Sequence, residues 1–249
     1  MEPNTPPPIN TDIPVSVHVD NLAPMRDAFI LGVDTQGQPI IDDAFNKAWA
    51  SMETLYTKSA ALSEADRALK ATRIDSAQER RLRAGADKAL SDARQTVATA
   101  MESIAKHRAK AEDEISAALQ LPEHRSSVVH SMRADSIRRV LHTMPKTARL
   151  DALRAAINEG DVEAVASVLS ASPLASGLSR GDLEGLRMDA ERKFAPQAAN
   201  RRDALIRLGE TLARAGDATE RTWGRLVGRG SDPHARAEAA LRNLEGSAV

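Results

Sequence analysis

The 249-residue chain has no cysteine. That excludes disulfide staples, thiolate nucleophiles and Cys-ligated zinc. Aromatic residues are almost as scarce. Phe29, Phe45, Trp49, Tyr56, Phe194 and Trp223 are all there are, and none lies between Tyr56 and Phe194. Aromatic side chains carry much of the burial in an ordinary core. The middle of this chain must therefore be held by Ala, Leu, Val and Met, with oligomerisation expected to add burial that one subunit lacks. Neither sign of charge dominates, with 34 basic against 35 acidic side chains. That balance argues against nucleic-acid binding by a whole-protein field. No apolar run approaches the roughly 18 residues of a membrane span. Met1–Asn10 is polar and proline-rich, unlike a secretory leader.

Helix breakers are missing from one long stretch. Between Leu62 and Leu121 there is no proline and a single glycine, Gly85. The residues are mostly Ala, Arg, Glu, Asp, Lys and Leu, which predicts one helix of roughly 60 residues, about 90 Å if unbroken. A stripe that long has to be buried by a second helix or a second subunit. Ser63 reads as its N-cap, with Glu64 and Asp66 in the first turn. Ala86, Leu90, Ala93, Val97, Ala100 and Ile104 step by four and three, a heptad seam whose small residues allow close approach. His107 interrupts that seam, and a bend or stutter is expected near Gly85.

Prolines are instead concentrated before residue 40, at positions 3, 6, 7, 8, 14, 24 and 39. Residues 1–40 read as an extended arm. Within it Val15, Val17 and Val19 alternate and offer a strand to a neighbouring subunit. Asp42 or Asp43 caps a helix expected to reach about Lys58, with Phe45, Trp49, Met52 and Tyr56 on one face. After Pro122 a helix is expected to run to about Met144 with the stripe Val129, Met132, Ile137, Val140, Leu141 and Met144. Short helices follow. Pro145 and Pro196 begin helices, Gly160-Asp161 and Gly216-Asp217 each end one and cap the next, and Ser179 with Asp182 resembles a capping box. The predicted class is all-α. It comprises an extended arm (1–40), a long, coiled-coil-like helical hairpin (41–121) and a bundle of about five short helices (122–249).

Chemical motifs are few. Gly177-Leu178-Ser179-Arg180-Gly181 matches the nucleophile-elbow pattern, and Asp217 and His234 follow in hydrolase order. The elbow needs a strand before it, whereas Val162–Ala171 reads as helix, so Ser179 is better read as a helix cap. His124, His130 and His142 lack the spacing of a metal pair. Arg80, Arg81 and Arg83, then Arg125, Arg133, Arg138 and Arg139, then Arg192, Lys193, Arg201 and Arg202 form three basic groups. Arg80, Arg81, Arg83, Arg138 and Arg139 are candidate phosphate contacts, weighed against pairing with acidic neighbours. Gly224, Gly228 and Gly230 are wrongly spaced for a phosphate loop. No catalytic residue, metal or cofactor is expected.

The stretch Leu153–Pro196 carries Gly160-Asp161, then Pro173-Leu174, Ser176-Gly177-Leu178 and a Lys-Phe-Ala-Pro exit ending at Pro196. It resembles a segment of proteins from tailed phages and prophages of proteobacteria, over less than a fifth of the chain. The resemblance implies a place among virion structural genes and carries no catalytic residue with it. Together with the long helix and the arm, it gives the expected function: a non-enzymatic adaptor subunit at a head-to-tail junction. Such a subunit would assemble in the host cytoplasm into a ring with portal and tail proteins. DNA would pass the ring and no membrane would be involved. Val15, Val17, Val19, Trp49, Tyr56 and Trp223 are the expected interface residues. An internal scaffold or coiled-coil assembly factor, and a helical nucleic-acid-binding or regulatory protein, are the alternatives.

Overall fold

The computed structural model describes residues 13–71, 76–119 and 128–228. Among these residues the structure is all-α apart from one two-stranded hairpin. The chain divides into two compact units, residues 1–104 with 207–249, and residues 105–206.

In the first unit the chain enters through 3-10 turns at Val15–Val17, Val19–Asn21 and Ala23–Phe29. The expected strand at Val15–Val19 is therefore 3-10 helix. Val17 and Val19 are fully buried, His18 stacks edge-on against Tyr56 at 5.0 Å, and Val15 is 78% exposed. The alternation is one of residue type only: Val17, His18 and Val19 are all buried, without the two-residue period of a half-buried strand. Strands β1 (Ile30–Val33) and β2 (Pro39–Ile41) pair antiparallel, with Ile30 opposite Ile41 and Val33 opposite Pro39. Asp34 closes their turn by accepting from the backbone N–H groups of Gln36 and Gln38, both at 2.8 Å.

Asp42 is the cap of helix α1 (Asp43–Ala71), its carboxylate accepting from the Ala44 N–H at 2.9 Å. The expected aromatic stripe is core. Phe29, Phe45 and Trp49 form a chain of rings 5.2 and 5.8 Å apart, with Met52, Leu55 and Tyr56 buried further along the helix.

Helix α1 does not stop near Lys58. It passes through Ser63, so the helix start expected there is not found: Leu62–Ala71 belongs to α1, and α2 covers Ser76–Ala118, with residues 72–75 outside those described. Serine can cap a helix, but no breaker accompanies Ser63, and a helix carried by packing continues through it. Helix α2 also continues through Gly85. Its heptad seam is buried as expected at Ala86, Ala93, Ala100 and Ile104, then Ala111, Ile115 and Leu119. The steps beyond residue 107 are all four, so the seam drifts from a heptad course. His107 occupies a seam position, half-buried, with Nδ1 3.4 Å from the Arg201 guanidinium.

The second unit holds the end of α2, α3 (Val128–His142), α4 (Lys146–Glu159), α5 (Val162–Leu169), α6 (Pro173–Ser176), α7 (Arg180–Phe194) and the start of α8 (Pro196–Gly228). Pro122 lies outside the described residues. The turn signals are realised locally. Gly160 ends α4 at φ 86°, and Asp161 caps α5 through the Ala164 N–H at 3.0 Å. Ser172 caps α6, and Ser179 with Asp182 makes a reciprocal capping box at α7. Leu141, Leu153, Ile157, Val165, Val168, Leu178, Leu186 and Ala190 form the core of this unit.

Gly216-Asp217 is not a break. Helix α8 runs 33 residues straight through it, in place of two short helices. A β-carbon at Gly216 would lie 3.8 Å from Val97, and one at Gly209 3.7 Å from Ile104. These glycines thin the helix where α2 packs on it. The same dipeptide that stops α4 is bridged in α8 by burial of Leu208, Leu212 and Ala215.

Candidate functional site

Ser179 sits where α7 begins, and its hydroxyl is fully employed. It donates to the Asp182 carboxylate at 2.5 Å and accepts from the Asp182 N–H at 3.2 Å, while the Ser179 N–H donates back to the same carboxylate at 3.1 Å. Lys146 adds a contact at 2.8 Å. Lys146 and then Ser179 hold the Asp182 carboxyl down at about 2. A serine that caps a helix and bonds an ionised carboxylate is no activated nucleophile. His234, the third member of the motif, lies outside the described residues.

The first glycine of that motif has a different purpose. Gly177 adopts φ 64°, and a β-carbon there would lie 2.1 Å from the Arg149 guanidinium. Arg149 is buried on α4. Its Nε donates to the Leu141 carbonyl at 3.0 Å, Nη1 to the carbonyls of Ser176 and Gly177 at 3.3 and 2.5 Å, and Nη2 to the Met144 carbonyl at 3.1 Å. One side chain thus satisfies carbonyls at the ends of α3 and α6, groups that helices leave without partners. His142 reinforces the junction through Nε2, 2.9 Å from the Ala175 carbonyl. Nothing in the local sequence around Arg149 announces this role; its partners come from two separate turns.

His142 is therefore a structural histidine, and His130 is half-buried on α3. His124 lies outside the described residues. No group of three or more His, Asp or Glu able to hold a metal occurs among the described residues.

The three arginine groups divide. Arg80 and Arg81 are exposed on α2, and Arg83 is half-buried and partnered. Arg138 is turned inward, donating to the Ser167 carbonyl at 2.7 Å and to Asp135, whereas Arg139 is exposed. Arg125 lies outside the described residues. Arg202 is taken up by the buried Glu191 at 2.6 Å and by Asp203 at 2.9 Å. Burial opposes its charge, but the bonds to both carboxylates outweigh that and raise its pKa. Arg192 and Lys193 face Arg154 across a cleft of about 370 Å³ between α4 and α7, which Ile157, Asn158 and Asp189 also line. The cleft lies at the C-terminal turns of both helices, whose carbonyls favour nearby cations. That accounts for the three cations without a ligand.

A second cleft, of about 290 Å³, lies in the first unit between α1, α2 and α8. Leu55, Leu90, Val97, Met101 and Gly216 line it, and the Arg94–Glu220 ion pair, at 2.7 Å, stands among its walls. Of the expected interface residues, Trp49, Tyr56, Val17 and Val19 are buried, Trp223 is fully enclosed on α8, and only Val15 is exposed.

The expected stripe on α3 is divided in the structure. Val129, Met132 and Val140 belong with Ile137, Leu141 and Met144 by spacing, yet they are exposed while Leu141 is core. The centres of the two sets lie about 100° apart around α3, which a single wide stripe conceals. Comparison with known proteins adds no further constraint: no family model matches the chain, and neither a curated protein nor a solved structure is similar to it. No described helix is long and apolar enough to cross a membrane.

Proposed function

We propose that this chain is a non-enzymatic structural subunit of a tailed-phage virion, an adaptor that assembles as a ring at the head-to-tail junction. The observation that carries the reading is the pair of long helices. At 43 and 33 residues, α2 and α8 are spent on an Ala- and Gly-lined seam. The Leu153–Pro196 resemblance supplies the phage setting. The Gly-Leu-Ser-Arg-Gly match, the strongest enzymatic signal in the sequence, is used as a cap and a clearance for Arg149. Ring subunits make heterologous contacts that close by rotation. Arg80 and Arg81, exposed on α2, are the residues that would meet passing DNA.

Negative-stain microscopy of the purified protein, alone and mixed with a tailed-phage portal protein, tests this. Closed rings of defined subunit number, alone or on the portal, are expected. Elongated dimers that leave the portal bare would instead favour an internal scaffold.

A further inference from the structure

The outer face of α3 is apolar and uncovered. Val129, Met132 and Val140, with Ser136 among them, fall on one stripe, at steps of three, four and four. Val129 and Val140 are each 57% exposed, Met132 67%, and Val128 beside them 77%. Leu174 is 90% exposed on α6, which the His142–Ala175 contact joins to the end of α3. Scattered single exposed hydrophobics are ordinary; a helical stripe of them is the mark of an interaction site. The inner face of the same helix is already committed, through Ile137, Leu141 and Arg138.

Charge decides what covers the stripe. At 100° per residue, Arg133 flanks it on one side and Arg139 on the other. Both are exposed. The one carboxylate on α3, Asp135, is engaged by Arg138. Arg133 has only a loose contact, 3.7 Å, with Glu163. The border of the stripe is therefore positive on both sides. A second copy of α3 fits poorly. An antiparallel pair centred on Ser136 brings each border against the same border of the other copy, Arg133 beside Arg133 on one side and Arg139 beside Arg139 on the other. Like charges opposed across an apolar seam are unfavourable.

We infer that the outer face of α3 is a docking surface for an amphipathic helix of another protein, one whose apolar stripe is bordered by Asp or Glu. The partner helix lays leucine-type anchors between Val129, Met132 and Val140 and pairs its carboxylates with Arg133 and Arg139. The small Ser136 leaves room for close approach. This surface does not depend on the ring reading. It would serve an adaptor or a scaffold alike.

Fluorescence anisotropy with two labelled 16-residue helical peptides tests it on the full chain. One peptide has a leucine stripe bordered by Glu, the other the same stripe bordered by Lys. The Glu peptide is expected to bind about tenfold tighter or better. Met132→Glu is expected to abolish that binding, and Arg139→Glu to shift the preference towards the Lys peptide; circular dichroism checks that both variants keep their helix content. Equal binding of the two peptides, or binding untouched by Met132→Glu, would overturn the inference. So would a dimer in sedimentation that Met132→Glu dissolves, since the occupant would then be a second copy.

Discussion

The first unit and the second solve the same problem with different interactions. In the first, long helices meet along Ala86, Ala93 and Ala100, with Leu208 and Leu212 buried on α8 and a ring stack under the N-terminal turns. Specific polar contacts there are mostly at the rim, such as Lys58–Asp92 at 2.9 Å between α1 and α2 and Arg94–Glu220 between α2 and α8. In the second, helices of 4 to 15 residues between α3 and α7 are joined by caps, left-handed glycines and the buried Arg149. A short helix has a large fraction of its backbone groups at its ends, so end chemistry dominates. A long helix has few ends and much side, so packing dominates.

The comparison is easiest to break at the largest effects. Leu208→Ala or Leu212→Ala removes a fully enclosed side chain from the long-helix core. Each is expected to destabilise by about 2–5 kcal/mol in chemical denaturation. Arg149→Ala removes a donor from four carbonyls, of which Leu141 alone keeps a backbone partner, the Met144 N–H at 3.0 Å, and opens a cavity. A loss of about 3 kcal/mol is expected, and Arg149→Lys should recover little, because an ammonium cannot span both turns.

Glycine substitutions sharpen the contrast. Gly177→Ala has to strain the backbone and displace Arg149, and is expected to cost well over the ~1 kcal/mol of a left-handed alanine. Gly160→Ala meets no atom within 4 Å and should cost only that ~1 kcal/mol. Gly209→Ala in α8 is the opposite case. Its β-carbon would make ordinary contacts at 3.7 and 3.8 Å with Ile104 and Met101, so helix propensity should raise stability by up to about 1 kcal/mol.

The smallest expected effect is electrostatic. Asp182 has its carboxyl lowered to about 2 by Lys146 and Ser179. A depressed carboxyl stabilises the fold above its unfolded value, near 3.8, and that contribution is lost as pH falls through about 2. Asp182→Asn should therefore be less stable than the parent at neutral pH and converge with it towards pH 2, as read by thermal melts across that range.

These differences also explain what was legible. Gly160-Asp161, Ser179 with Asp182, and Pro196 act within three residues of themselves, so their structure follows from local sequence. The heptad seam from Ala86 to Ile104 was equally readable, because its period is its mechanism. Gly216-Asp217 has the same letters as Gly160-Asp161 and the opposite outcome. The deciding partner, Val97, lies more than a hundred residues away on α2. Arg149 was invisible for the same reason, its acceptors being supplied by the turns at 141–144 and 176–177. The stripe on α3 was legible as a stripe, but its division into a buried Leu141 and exposed Val129, Met132 and Val140 was not, since spacing gives a face and not the neighbour it meets.

Native-state hydrogen exchange on Gly177→Val tests the division most directly. If end chemistry holds the second unit, amides from Leu141 to Leu186 should lose protection while those of α1 and of α2 between Ala86 and Ile104 keep theirs. A uniform loss of protection along the whole chain would contradict the account and make the two units one cooperative body.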